Sequence, residues 1–134
     1  MLDVSDLIGI PYKENGRDSN GYDCYGLCIE VEKRLGRQLE DVIYENHDTR
    51  LFNEYLPTLN VCLTDNITEG TLLEMEYNGE LHLAVALNNE TMIHCTTNQG
   101  VKISPIYKKL LRHTLEVAEW DKSLYTTLRQ QNIR

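Results

Sequence analysis

The chain contains no apolar run approaching the ~18 residues that cross a bilayer as a helix, which excludes a membrane span of that kind. Its start, Met1-Leu2-Asp3-Val4-Ser5-Asp6, lacks the basic segment and apolar stretch of a secretory leader. The expectation is cytoplasmic synthesis, with any export by another route: a phage particle, a lysis event or a carrier protein. Basic residues are also few. Thirteen Lys and Arg stand against 21 Asp and Glu, for a net charge of −8. The nearest approach to a basic patch, Lys108-Lys109 with Arg112, reads as a solvated helix face. Nucleic-acid binding is driven by phosphate neutralisation, so no nucleic-acid partner is expected. Four cysteines (Cys24, Cys28, Cys62, Cys95) are too few for a disulfide framework at this length, and reduced thiols are expected. Repeats, low-complexity tracts and linkers are absent. With 134 residues, 41% of them hydrophobic, the chain is expected to form one domain over 1–134.

What is present is a helix followed by strands. A short helix over Val4 to Ile8 leads into a loop punctuated by Gly9, Pro11, Gly16, Asn20 and Gly21. From Cys24 to Leu35 the spacing is helical, with Leu27, Val31 and Leu35 four apart, Asp23 at the N-cap and Gly36 at the C′ position. Thr49 to Tyr55 reads as a second helix, ended near Pro57. The pattern then turns to strands. Thr71 to Tyr77 is followed by the hairpin dipeptide Asn78-Gly79, Leu81 to Leu87, a turn at Asn88-Asn89, Thr91 to Cys95, and Val101 to Ser104. Lys108 to Arg112 reads as a helical turn and Thr114 to Ala118 as a last strand. Helix first and antiparallel meander second make an α+β domain.

Cys24 begins the best-defined helix. First-turn amides and the helix dipole stabilise a thiolate there, and the same amides can donate to an oxyanion when the thiolate attacks a carbonyl. A buried structural cysteine fits that position equally well, so a nearby base decides between the readings. Cys28, one turn further in, reads as a small core residue. His82 and His94 both fall in the strand region. If Asn88-Asn89 forms the turn, the two histidines face each other across a hairpin, one as general base and the other orienting it. Zinc ligation by Cys24, Cys28, His82 and His94 is disfavoured because Cys-x3-Cys is not the usual knuckle spacing. No metal and no cofactor are expected. His47 and His113, in polar surroundings, read as surface residues.

These residues together resemble the NlpC-type cell-wall cysteine peptidases. One matching stretch is Gly9-x-Pro11-Tyr12, Gly16 and Gly21-x-Asp23-Cys24-x-Gly26-Leu27. The other is His82-Leu83-Ala84-Val85-Ala86-Leu87 with Met92-Ile93-His94 and Gly100-Val101. Together they cover most of residues 7–104, and Tyr12 to Cys24 and His82 to His94 are each 12 residues apart, as in that family. The resemblance implies a papain-like fold in which an N-terminal helix carrying the nucleophile packs on an antiparallel sheet. It implies a triad of Cys24 as nucleophile, His82 as base and His94 as orienting residue. Tyr12 matches a tyrosine that helps the oxyanion site, and Asp23 an acid that in several members holds the free amine of the peptide substrate. The implied reaction is hydrolysis of the D-glutamyl–diamino acid bond in peptidoglycan stem peptides.

Two positions depart from the common form. Tyr25 stands where many bacterial members have serine, and Gly70-Thr71 stands where a glycine-aspartate often opens the first strand. Asp23-Cys24-Tyr25-Gly26-Leu27 looks more like the phage-tail branch, which implies phage tail proteins as partners alongside a peptidoglycan substrate. A non-enzymatic tail-assembly or adaptor protein, or a thiol hydrolase of another amide or thioester, are the competing readings.

Overall fold

A computed structural model describes residues 2–41 and 59–118. Helix α1 spans Cys24–Arg34 and is capped as its sequence dictates. Asp23 is extended (φ −87°, ψ −178°) and its side chain accepts from the Gly26 amide. At the other end, Gly36 takes the left-handed conformation at φ +80°. Among the described residues no helix is long and apolar enough to cross a membrane.

Among the described residues, eight strands accompany the helix. A small hairpin, β1 (Arg17–Asp18) and β2 (Gly21–Tyr22), leads directly into α1. The remaining strands are β3 (Val61–Leu63), β4 (Leu72–Tyr77), β5 (Glu80–Ala86), β6 (Thr91–Thr96), β7 (Gly100–Pro105) and β8 (Leu111–Val117). They form an antiparallel sheet in the order β3-β8-β4-β5-β6-β7. One helix against an antiparallel sheet is the α+β arrangement expected from the sequence.

The chain order is less simple than a meander. β4 to β7 run as one, but β8 returns to pair with β4, and β3 lies outside β8. The helix expected over Val4 to Ile8 is only a 3-10 turn at Ser5–Leu7, and Lys108–Leu110 is another. No side-chain cap supports the first of these, and Gly9 at φ +88° ends it. The helix expected over Thr49 to Tyr55 lies outside the described residues, as does His47.

Period-two alternation in the strands builds two apolar layers. Leu72, Leu83, Val85, Ile93, Cys95 and Val101 pack with Leu27, Cys28 and Val31 of α1. Their neighbours Leu73, Met75, Ala84, Ala86 and Met92 fill the opposite face, under Ile106, Tyr77 and Tyr107. Each fully buried Leu, Val, Ile or Met side chain contributes about 1.5–3 kcal/mol of transfer free energy, so this double-sided sheet is the main source of stability.

The hairpins set the register around the histidines. Asn78 and Gly79, at φ 53° and 81°, make a two-residue turn with both central residues left-handed, and Met75 therefore faces His82. The β5–β6 connection differs from the expected turn at Asn88-Asn89. The Asn88 side chain accepts from the amides of Glu90 and Thr91, both at 2.8 Å, and Leu87 N–H bonds the Thr91 carbonyl. This wider turn pairs Val85 with Ile93 and Ala86 with Met92. Extended further, that register would set His82 against Thr96 rather than against His94, so the direct facing expected from sequence is corrected by two residues. The ladder itself stops at Val85, and the two strands part before reaching the histidines.

Candidate active site

Helix α1, which begins at Cys24, packs against both β5 and β6, the strands that carry His82 and His94. The Cys95 thiol of β6 donates to the Tyr22 carbonyl at 3.2 Å, two residues before Cys24. Tyr12 is held against the same residue: Lys13 N–H bonds the Tyr22 carbonyl at 3.0 Å, and Tyr22 N–H bonds the Pro11 carbonyl at 3.1 Å. The segment before Tyr12 is tied in turn to β7, through Gly9 N–H to the Val101 carbonyl and Val101 N–H to the Ile10 carbonyl, both 2.9 Å. Gly100 makes this approach possible. It sits at φ +71°, and a Cβ there would lie 2.3 Å from the Ile10 carbonyl oxygen.

Cys24 is 5% exposed and belongs to the apolar layer between helix and sheet. The surroundings of the other two buried thiols favour their protonated form. Burial, with Cys24 beside it, pushes Cys95 up to about 12, and burial pushes Cys28 well above its ordinary value. None of the four cysteines is in a disulfide.

His82 and His94 come together through their side chains. His82 Nε2 lies 2.9 Å from His94 Nδ1, with ring centroids 5.2 Å apart at 73°. They are same-face diagonal neighbours, a distance that long or planar side chains bridge. The second nitrogen of His94, Nε2, lies 2.9 Å from Ser104 Oγ on β7. Tyr77 and Tyr107, stacked with centroids 5.9 Å apart, enclose the pair, Tyr77 at 5.1 Å from the His82 ring and Tyr107 at 6.2 Å from the His94 ring. Burial, and to a lesser degree the Lys102 ammonium, lowers His94 to about 4, so it is a neutral imidazole at physiological pH.

The Asp23 carboxylate is buried and bonded within the chain. Oδ1 accepts from Gly26 N at 2.6 Å and from Arg17 Nη1 at 2.8 Å, and Oδ2 accepts from Asn15 N at 3.2 Å. Arg17 reaches on to Asp41 at 2.9 Å. Gly26 is required by the same contact: a Cβ there would lie 2.1 Å from the Gly16 carbonyl oxygen.

The NlpC/P60 family model matches residues 9–119. The chain belongs to the NlpC/P60 family. Solved structures place it in the same fold. It is 21% identical to an NlpC/P60 family protein from Bacillus cereus, with a TM-score of 0.56, over 81% of this chain and 35% of that one. Against the NlpC/P60 domain of the peptidoglycan hydrolase SagA it is 25% identical, with a TM-score of 0.55, covering 84% of this chain and 89% of that domain. Against the P60 domain of an antigen from M. avium subspecies paratuberculosis the identity is 20% and the TM-score 0.54, over 85% and 88% of the two chains. The chain thus spans about a third of the Bacillus cereus protein and most of the two isolated domains. No curated protein matches it.

Within the NlpC/P60 frame, the departure at Tyr25 has a structural explanation. Its ring is fully buried, and its hydroxyl donates to the Glu40 carbonyl. Arg17 Cζ lies 5.9 Å from the ring centroid, while Asn60 fastens the same segment through Gln38 and Glu40. Tyr25 therefore anchors the chain leaving α1. Sequence reasoning missed Ser104, Arg17, Tyr77 and Tyr107. Ser104 shares the period-two face of His94 across the β6–β7 ladder, a signal that becomes readable only once that register is known.

Proposed function

We propose that the chain is a cysteine peptidase that hydrolyses peptidoglycan stem peptides at a D-glutamyl–diamino acid type bond. The observation that carries this reading is the buried His82–His94 contact at 2.9 Å, on the two strands against which the helix headed by Cys24 packs. In this account the Cys24 thiol passes its proton to His82. The thiolate attacks the peptide carbonyl, first-turn amides of α1 with the Tyr12 hydroxyl receive the oxyanion, and His82 returns the proton to the leaving amine. Water then hydrolyses the thioester. His94, neutral and buried, holds His82 in the orientation and tautomer this requires.

Asp23 fixes the start of α1 through Gly26 and Arg17, and its Oδ2, nearest Asn15, is the edge that would meet a substrate amine. A peptidoglycan substrate is supported by the SagA domain, which is from a peptidoglycan hydrolase. Delivery with a phage or prophage tail is the finer reading, supported by the Asp23-Cys24-Tyr25-Gly26-Leu27 form; detection of the chain in purified particles tests it. Digestion of defined muropeptides, with products identified by mass, tests the reaction. Cleavage after D-glutamate that disappears in Cys24→Ala is expected, and retained cleavage in that variant overturns the assignment.

A further inference from the structure

Ser104 is a buried hydroxyl on β7, a strand that carries none of the proposed catalytic residues, yet it holds the far nitrogen of His94. Three strands thereby contribute to one hydrogen-bonded line: His82 on β5, His94 on β6 and Ser104 on β7. A neutral imidazole carries one hydrogen, so one nitrogen of His94 donates and the other accepts. His94 is fully buried, under Tyr77 and Tyr107, so water does not compete for either nitrogen.

We propose that Ser104 is a positioning residue that holds the His94 ring with Nδ1 on His82, the arrangement His82 needs to act as a base. The role rests on the reading of His82 as the base for Cys24. When the thiol proton moves from Cys24 Sγ to His82 Nδ1, His82 becomes an imidazolium and keeps its hydrogen on Nε2. That N–H must point at an acceptor, which is His94 Nδ1. His94 then carries its own hydrogen on Nε2 and donates it to Ser104 Oγ. The opposite tautomer, with hydrogen on His94 Nδ1, would donate to His82 Nε2. His82 would then bear its hydrogen on Nδ1, the position that has to receive the thiol proton. In the working form Ser104 Oγ accepts from His94 Nε2–H; because a hydroxyl can also donate, what Ser104 fixes is the orientation of the ring.

The test is long-range 15N NMR of the His94 ring, together with carboxamidomethylation of Cys24 by iodoacetamide at neutral pH. In the unaltered protein His94 should show the Nε2–H tautomer. Ser104→Ala, which leaves His94 Nε2 buried without this partner, should shift the ring nitrogen signals and slow alkylation of Cys24 by about tenfold, the equivalent of one unit of thiol acidity. Ser104→Thr, which keeps the hydroxyl, should restore both. Unchanged ring signals and alkylation in Ser104→Ala overturn the role of Ser104 alone, as does a Thr variant as impaired as the Ala variant. Slow alkylation of Cys24 in the unaltered protein overturns the nucleophile reading, and this role with it.

Discussion

His82 Nε2 and His94 Nδ1 are joined at 2.9 Å by their side chains, across strands that no longer pair at that point. The consequence is that the strength of the pair depends on His94 staying neutral. Its acidity is shifted down to about 4, chiefly by burial. An NMR titration should find His94 unprotonated until the pH falls well below 6. The shift has a sign for stability as well. A base whose folded value is lowered from 6.5 to about 4 favours folding above 6.5, and that contribution is lost as pH falls towards 4. His94→Asn should flatten this part of the stability profile. In activity, His82→Ala should abolish turnover, whereas His94→Ala should leave a reduced rate, because orienting a base is less indispensable than being one.

Arg17 should be worth more to the protein than a surface arginine. Its partner Asp23 is 1% exposed and is also the N-cap of α1. Arg17→Met leaves that carboxylate buried without its counter-ion and should cost about 3 kcal/mol in urea unfolding, the lower end for breaking a buried pair. In an Asp23→Asn background, where the cap survives without the charge, the same change should cost much less. Equal costs in both backgrounds would show that the pair is not the source of the effect.

Tyr25 should be separable from specificity. Tyr25→Phe removes one hydrogen bond, to the Glu40 carbonyl, and should cost about 1 kcal/mol while leaving the cleavage products unchanged. Tyr25→Ser opens a cavity beside Arg17 and should cost about 3–5 kcal/mol. Altered products from a fully stable Tyr25→Phe protein would instead place this side chain in the path of the substrate.

Glu32 is a strained member of the helix. It is fully buried, with Arg37 Nη1 at 3.6 Å from Oε1, and burial raises it to about 7. A carboxyl raised above its unfolded value of 4.5 costs nothing at low pH and destabilises progressively as pH passes from 4.5 to 7. Glu32→Gln should therefore stabilise the protein at pH 8 by on the order of 2 kcal/mol and have little effect at pH 4. Thermal unfolding at the two pH values measures this directly, and a gain of equal size at both would contradict the account.

Much of this site was legible in the sequence because local chemistry decided it. Asp23, the four-residue spacing behind Cys24 and Gly36 set α1 within a residue, and Asn78-Gly79 set the β4–β5 hairpin. What was not legible depended on contacts distant in sequence. The β5–β6 register turned on the Asn88 side chain capping two amides rather than on a two-residue turn. The return of β8 to β4, and the short edge strand β3, are tertiary pairings with little local signature. Asp23 was readable as a cap. Its bond to Arg17, six residues earlier, required the β1–β2 hairpin to bring the guanidinium back.

The central claim is that Cys24, rather than any other thiol, is activated. Brief labelling with iodoacetamide at pH 6, mapped by peptide mass, tests it most directly. Cys28 and Cys95 are buried and shifted up, and Cys62, though exposed, is raised by partial burial and by Glu116 beside it. The account predicts that Cys24 is modified first, despite being 5% exposed, and that His82→Ala removes its advantage. Labelling that follows exposure, with Cys62 first and Cys24 as slow as Cys28, would contradict it.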